Sequence, residues 1–190
     1  NNITGIEGID TRTLTKILRK DGTMRGMITT DENYDLDECM KRIKEWKMGH
    51  VVLDVTCKEK MFYPGDGFKV AVIDLGVKKN IVKSLLARGC QVTVYPAETP
   101  AEEIIADAPD GIMLTNGPGD PSENVEIIKE VKKLSESGLP IFAICLGHQL
   151  MALATGADTE KMRWGHRGGN HPVKDLQTGR VYISSQNHGY

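Results

Sequence analysis

From residue 69 onward, apolar runs alternate with amphipathic stretches. Lys69-Val70-Ala71-Val72-Ile73-Asp74 is nearly continuous in apolar residues, as a strand covered on both faces would be. Ile81, Val82, Leu85 and Leu86 fall on one side of a helix predicted over 80–88, with Gly89 as its stop. A strand over 91–95 follows, closed by Pro96, and then a short helix over 100–106. Gly111-Ile112-Met113-Leu114-Thr115 reads as a third strand, and 125–134 as a helix with Ile127, Val131 and Leu134 aligned. A fourth strand over 140–144 and a helix over 148–154 complete the series. Repeated β-α-β units predict an α/β fold: a parallel sheet with right-handed crossovers, flanked by helices. Residues 181–185 read as one more strand, in an antiparallel extension.

The earlier residues have another texture. A short helix is predicted over 11–20, where Leu14, Ile17 and Leu18 share a face, threonines can cap the start and Gly22 ends it. Residues 24–29 could form a strand. A second helix over 37–47 would turn Met40 and Ile43 inward and stop at Gly49. Met61-Phe62-Tyr63-Pro64-Gly65-Asp66-Gly67 has turn residues and no period. The expected organisation is a smaller α+β region over 1–60, a linker over 61–68 and the α/β domain over 69–190.

Composition narrows the classes. The 190 residues carry a formal charge of -2, which gives no electrostatic footprint for nucleic acid or a membrane surface. No apolar run is long enough to span a bilayer. The start, Asn1-Asn2-Ile3-Thr4, lacks both a signal-peptide pattern and an initiator Met, so a fragment or processed product is expected. Cysteines at 39, 57, 90 and 145 are too dispersed for a secreted disulfide scaffold; a reducing, cytoplasmic setting is expected.

In open sheets of this kind ligands sit beyond the carboxyl ends of the strands. Two segments leave strands there with unusual chemistry. Ala143-Ile144-Cys145-Leu146-Gly147 has the form small-x-nucleophile-x-small between a strand and a helix, the arrangement of a nucleophile elbow. Such a turn lifts the side chain above the sheet at a helix N-terminus, where free amides and the helix dipole favour an anionic sulfur. The Leu146 amide would then point at a developing oxyanion. Asn116-Gly117-Pro118-Gly119-Asp120-Pro121 lets the backbone approach a ligand closely, and Gly119 could supply a second oxyanion donor. The plain alternatives are a buried inert cysteine and an ordinary βα loop. Asn170-His171-Pro172-Val173 and Ser184-Ser185-Gln186-Asn187-His188-Gly189-Tyr190 crowd polar groups together; capping and turn chemistry is the simpler expectation for His166 and His171.

Cys145-Leu146-Gly147-His148-Gln149 with Asn116-Gly117-Pro118-Gly119-Asp120-Pro121 resembles the class I, triad-type glutamine amidotransferases. Three further segments are similar to the small-subunit family of carbamoyl-phosphate synthases: Gly8-Ile9-Asp10-Thr11-Arg12, Gly168-Gly169-Asn170-His171-Pro172-Val173 and Ser185-Gln186-Asn187-His188-Gly189-Tyr190. The resemblance implies a flavodoxin-like sheet preceded by the tail of an N-terminal domain that contacts a large subunit. It implies that Cys145 attacks the glutamine amide, forms a glutamyl thioester and releases ammonia. The implied glutamine contacts are Gly117, Gly119, Leu146, Gln149, Asn187, Gly189 and Tyr190. No metal and no cofactor are expected on this chain; ATP and Mg are expected on the large subunit, which would make carbamoyl phosphate for arginine and pyrimidine synthesis. Ala143 stands where the family usually has Gly, and it is still small. A glutamine-contacting Ser of the family would lie before Asn1. Its base and orienting acid belong to a later His-Pro-Glu motif, which residues 1–190 do not contain. His148 and His188 are poor stand-ins, so these 190 residues alone are expected to hydrolyse glutamine poorly or not at all.

Rival readings make different demands. Cys145-x-x-His148 with His166 and His171 loosely imitates zinc spacing but lacks a second cysteine pair. Asp74-Leu75-Gly76-Val77-Lys78 lacks the glycine spacing a dinucleotide needs. A scaffold that docks a synthetase without catalysing would lack the His-Pro-Glu motif altogether.

Overall fold

A computed structural model describes residues 3–47 and 49–190. They divide into two compact units: the described part of Asn1–Lys47 with Lys161–Gly189, and that of Met48–Glu160 with Tyr190.

The second unit holds a five-stranded sheet. Its strands are β1 (Met61–Tyr63), β2 (Lys69–Asp74), β3 (Gln91–Pro96), β4 (Gly111–Leu114) and β5 (Ile141–Ala143), in the order β1-β3-β2-β4-β5. β2, β3, β4 and β5 pair in parallel; β1 runs antiparallel to β3 with Phe62 opposite Thr93. The expected linker over 61–68 therefore contributes an edge strand. Three residues are too few to show a period, so no alternation marks this strand in the sequence.

The helices of this unit are α3 (Val51–Val55), α4 (Lys79–Leu86), α5 (Ala101–Ala106), α6 (Val125–Glu136) and α7 (Leu146–Ala154). On one face of the sheet, Ala71, Ile73, Ile112 and Leu114 pack with Ile104 of α5, Ile127, Val131 and Leu134 of α6, and Leu146 and Leu150 of α7. On the other, Val72, Val92, Val94 and Met113 meet Ile81, Val82, Leu85 and Leu86 of α4. Apolar side chains on both faces are what the continuous apolar strands require. Leu150 is fully buried, and truncation to Ala at such a site costs roughly 2–5 kcal/mol. β5 is an edge strand, and its Phe142 is 67% exposed.

The first unit contains α1 (Thr11–Asp21), α2 (Leu36–Glu45) and an antiparallel pair, β6 (His166–Lys174) and β7 (Val181–His188). Asp10 caps α1 by accepting the Thr13 N–H at 2.9 Å, and Gly22 closes it at φ 92°. α2 ends at Glu45, earlier than Gly49, and Met40 is exposed rather than inward. Residues 24–29 form no strand. The strand expected over 181–185 is longer, and it pairs with β6 in a separate two-stranded sheet instead of extending the parallel one. Gly168, Gly169 and Pro172 mask β6 in the sequence; the register shifts between Gly168 and His171. Among the described residues no helix is long and apolar enough to cross a membrane.

Candidate active site

The chain passes from β2 to β3 on one side and returns to β4 on the other, so the switch point of the sheet lies between β2 and β4. The loops leaving their carboxyl ends meet there, with the β5–α7 junction beside them. Asp74, only 5% exposed, ends β2 and accepts three backbone N–H groups: Cys57 at 2.8 Å, Gly76 at 2.9 Å and Val77 at 2.7 Å. Asn116 holds the same turn from the β4 side. Its Nδ2 donates to the Gly76 carbonyl at 2.9 Å, and its Oδ1 accepts the Lys78 N–H at 3.3 Å.

Cys145 occupies the position expected of it and is half-buried. It is the N-cap of α7, with φ 52° and ψ -112°. A non-glycine residue with positive φ costs about 1–3 kcal/mol and persists only where its surroundings over-determine it. Here the Ile144 N–H donates to the Leu114 carbonyl at 3.0 Å, and the Gly147 N–H to the Thr115 and Ile144 carbonyls, each at 3.0 Å. Those bonds seat the turn on the end of β4. Gly147 is the residue that lets it sit so close: a Cβ there would lie 2.6 Å from the Leu114 carbonyl oxygen. The bend that lifts the sulfur is the strained strand-to-helix turn predicted from the small flanking residues.

Leu146 is the first residue of α7, so its N–H has no acceptor within the helix, while its side chain is buried. Gly117 packs against the Leu75 carbonyl and the Leu146 side chain. Gly119 takes φ 95°, a conformation that favours glycine, and a Cβ there would meet Val51 of α3 at 2.6 Å. Gln149 donates through Nε2 to the Tyr190 carbonyl at 2.7 Å. Burial, and then a hydrogen bond to Asp120, push the Tyr190 phenol above its ordinary value. Cys145, Leu146, Gly117, Gly119, Gln149 and Tyr190 thus belong to one unit. Asn187 and Gly189 lie at the end of β7 and just after it, in the other.

His148 is exposed on the first turn of α7. On the β6–β7 pair, His188 Nε2 lies 3.0 Å from Gln186 Oε1 and 3.0 Å from His166 Nδ1. His171 stacks 4.9 Å from His166, and its buried Nε2 has no hydrogen-bond partner among the described residues. His166 and His171 are therefore packed on a strand face, not spent on turns. No group of three or more His, Cys, Asp or Glu among the described residues could hold a metal ion. A cavity of about 370 Å³ lies at the amino ends of β2 and β3, lined by Lys60, Phe62, Lys69, Gln91 and Asp107, at the opposite end of the sheet from Cys145.

Thr115 and Asp74 join the site without having been expected there as functional residues, whereas Asn116 heads the glycine loop that was. The available signal is a polar side chain directly after an apolar strand, which by itself does not separate a structural knot from an exposed turn.

Comparison with known proteins places this geometry. Residues 71–190 match the sequence model described as glutamine amidotransferase class-I. A carbamoyl phosphate synthase small chain from Clostridium perfringens is 49% identical over 190 residues, covering 100% of this chain and 54% of that one. One from Listeria monocytogenes is 49% identical over 189 residues, covering 99% and 52%. A carbamoyl phosphate synthase pyrimidine-specific small chain from Bacillus subtilis is 46% identical over 190 residues, covering 100% and 52%. The chain spans about half the length of these curated relatives. With a strained cysteine at the head of α7 and a family match that runs through it, this chain belongs to the class-I glutamine amidotransferases.

Proposed function

We propose that the protein is the glutamine-hydrolysing subunit of a carbamoyl-phosphate synthase. The observation that carries this reading is Cys145 at φ 52° on the N-cap of α7, held there by the close seat of Gly147 on Leu114. Similarity along essentially the whole chain to proteins named carbamoyl phosphate synthase small chain supports the choice within the family.

In the proposed reaction the Cys145 sulfur attacks the side-chain amide carbon of glutamine. The oxygen of the tetrahedral adduct takes hydrogen bonds from the N–H groups of Leu146 and Gly119. Collapse breaks the C–N bond, and the departing nitrogen takes a proton and leaves as ammonia. Water then cleaves the glutamyl thioester to glutamate. Gly117, Gln149 and Tyr190 complete the glutamine contacts of this unit. The proton transfers fall to the His-Pro-Glu segment of the family resembled, which is not part of residues 1–190. The ammonia passes to a large subunit that carries ATP and Mg and makes carbamoyl phosphate for arginine and pyrimidine synthesis in the cytoplasm.

The test is Cys145→Ser in the full-length polypeptide with its large subunit. Glutamine-dependent synthesis of carbamoyl phosphate is expected to disappear while ammonia-dependent synthesis persists. Retention of glutamine-dependent turnover by C145S would overturn the reading.

A further inference from the structure

Thr115 follows β4 and is completely buried. Its hydroxyl accepts the Leu75 N–H at 2.9 Å and donates to the Asn116 carbonyl at 3.1 Å. Its own carbonyl accepts the Gly147 N–H at 3.0 Å. One residue therefore ties together the exit of β2, the root of the glycine loop and the first turn of α7. The two attachments differ in kind. The link to the elbow runs through the backbone, which any residue supplies. The link to the Leu75 N–H runs through the hydroxyl, which only Thr or Ser supplies, and it stands beside the Asn116 side-chain bonds to Gly76 and Lys78 that also join the two loops.

We propose that Thr115 is a positioning residue for glutamine hydrolysis: its hydroxyl sets the place of the Gly119 N–H relative to the Leu146 N–H. The proposal rests on the reading of Cys145 as nucleophile and of these two amides as oxyanion donors. Valine has the shape of threonine without the hydroxyl. In its place the buried Leu75 N–H and Asn116 carbonyl lose their partner, and the loops shift to find others. Gly117 rests on the Leu75 carbonyl, so a shift of Leu75 is passed directly into the segment that carries Gly119. Oxyanion donors act only at hydrogen-bond distance from the developing charge, so a small displacement weakens the transition state more than the bound substrate. The elbow keeps its Gly147 to Thr115 backbone bond, so the thiol keeps its exposure.

The experiment is steady-state glutaminase kinetics of the full-length polypeptide with its large subunit, comparing Thr115→Val with Thr115→Ser. Wild type must hydrolyse glutamine, and C145S must not; failure at that step sinks the functional reading itself, not the role of Thr115. Given that step, T115V is expected to lose about 10- to 100-fold in kcat, the scale of a displaced catalytic contact, with KM changed by less than about threefold. T115S is expected to keep at least roughly a third of the wild-type kcat, because it restores both hydrogen bonds. Alkylation of Cys145 by iodoacetamide is expected to stay within about twofold of wild type in both variants. The proposal is overturned by a T115V kcat within about twofold of wild type, by a loss confined to KM, by T115S as impaired as T115V, or by alkylation that slows in step with kcat. Should T115V fail to fold, Thr115→Ala removes the hydroxyl together with the γ-methyl group, and the comparison with T115S, which lacks only that methyl, decides by the same thresholds.

Discussion

Replacing Gly147 with Ala sets local propensity against tertiary packing, and the two predict opposite signs. Gly147 is the second residue of α7, and in a helix Ala is favoured over Gly by about 1 kcal/mol. Propensity alone therefore predicts a more stable protein, with a midpoint roughly 2–4 °C higher for a chain of this size. The added Cβ, however, would stand 2.6 Å from the Leu114 carbonyl oxygen and 2.7 Å from both its carbonyl carbon and its Cβ. Ordinary contacts of this type begin near 3.4 Å, so β4 and α7 would have to separate by about 0.8 Å (3.4 less 2.6). Overpacking of this kind costs typically about 1–3 kcal/mol. The separation also stretches the Gly147 N–H bonds to Thr115 and Ile144, worth about 1 kcal/mol each. Less the propensity gain of about 1 kcal/mol, the net expectation is a loss of about 2–4 kcal/mol and a midpoint lower by roughly 4–16 °C, read by circular dichroism during thermal unfolding. Gly26→Ala is the control, since a Cβ there meets nothing within 4 Å. A G147A midpoint at or above that of wild type would refute the argument, because it would mean that the helix seats on β4 without the close approach.

Two other outcomes follow from the same geometry. Ala108, the second residue after α5, is held at φ 49° and precedes Pro109; Ala108→Gly removes that strain and should stabilise by about 1 kcal/mol, a rise of roughly 2–4 °C, and an unchanged midpoint would argue against strain there. Burial, and after it the Asp74 carboxylate, push the Cys57 thiol up to about 11 from its ordinary 9.0. At pH 8 Cys57 should therefore carry about 100-fold less thiolate than an unperturbed thiol, with an alkylation rate that climbs about tenfold per pH unit until near 11; a plateau near 9 in peptide-mapped rates would contradict this.

Much of the parallel sheet is legible in the amino-acid sequence. The apolar run that predicts β2 begins and ends where the strand does, because a strand buried on both faces leaves an unbroken apolar run that no amphipathic helix produces. The core face of α6 is equally plain, since Ile127, Val131 and Leu134 recur at helical spacing. Cys145 is legible as well, because the small-x-nucleophile-x-small pattern is dictated by local backbone sterics and is written in five consecutive residues. Contacts across strands are not written that way. β1 is three residues long and belongs to the sheet only because β3 offers it a partner. β6 contains three glycine or proline positions that contradict a strand, and it pairs with β7 through an irregular register. Thr115 gives no sign of its role, because its partners, Leu75 and Gly147, lie 40 and 32 residues away in the chain. The sequence by itself determined most of the strands and helices around the core, though not α3 or β1, and where the strained cysteine would stand, since these follow from local periodicity and local sterics. Only the tertiary structure decided how the loops at the switch point are knotted around that cysteine, since those hydrogen bonds join groups that are neighbours solely in the folded chain.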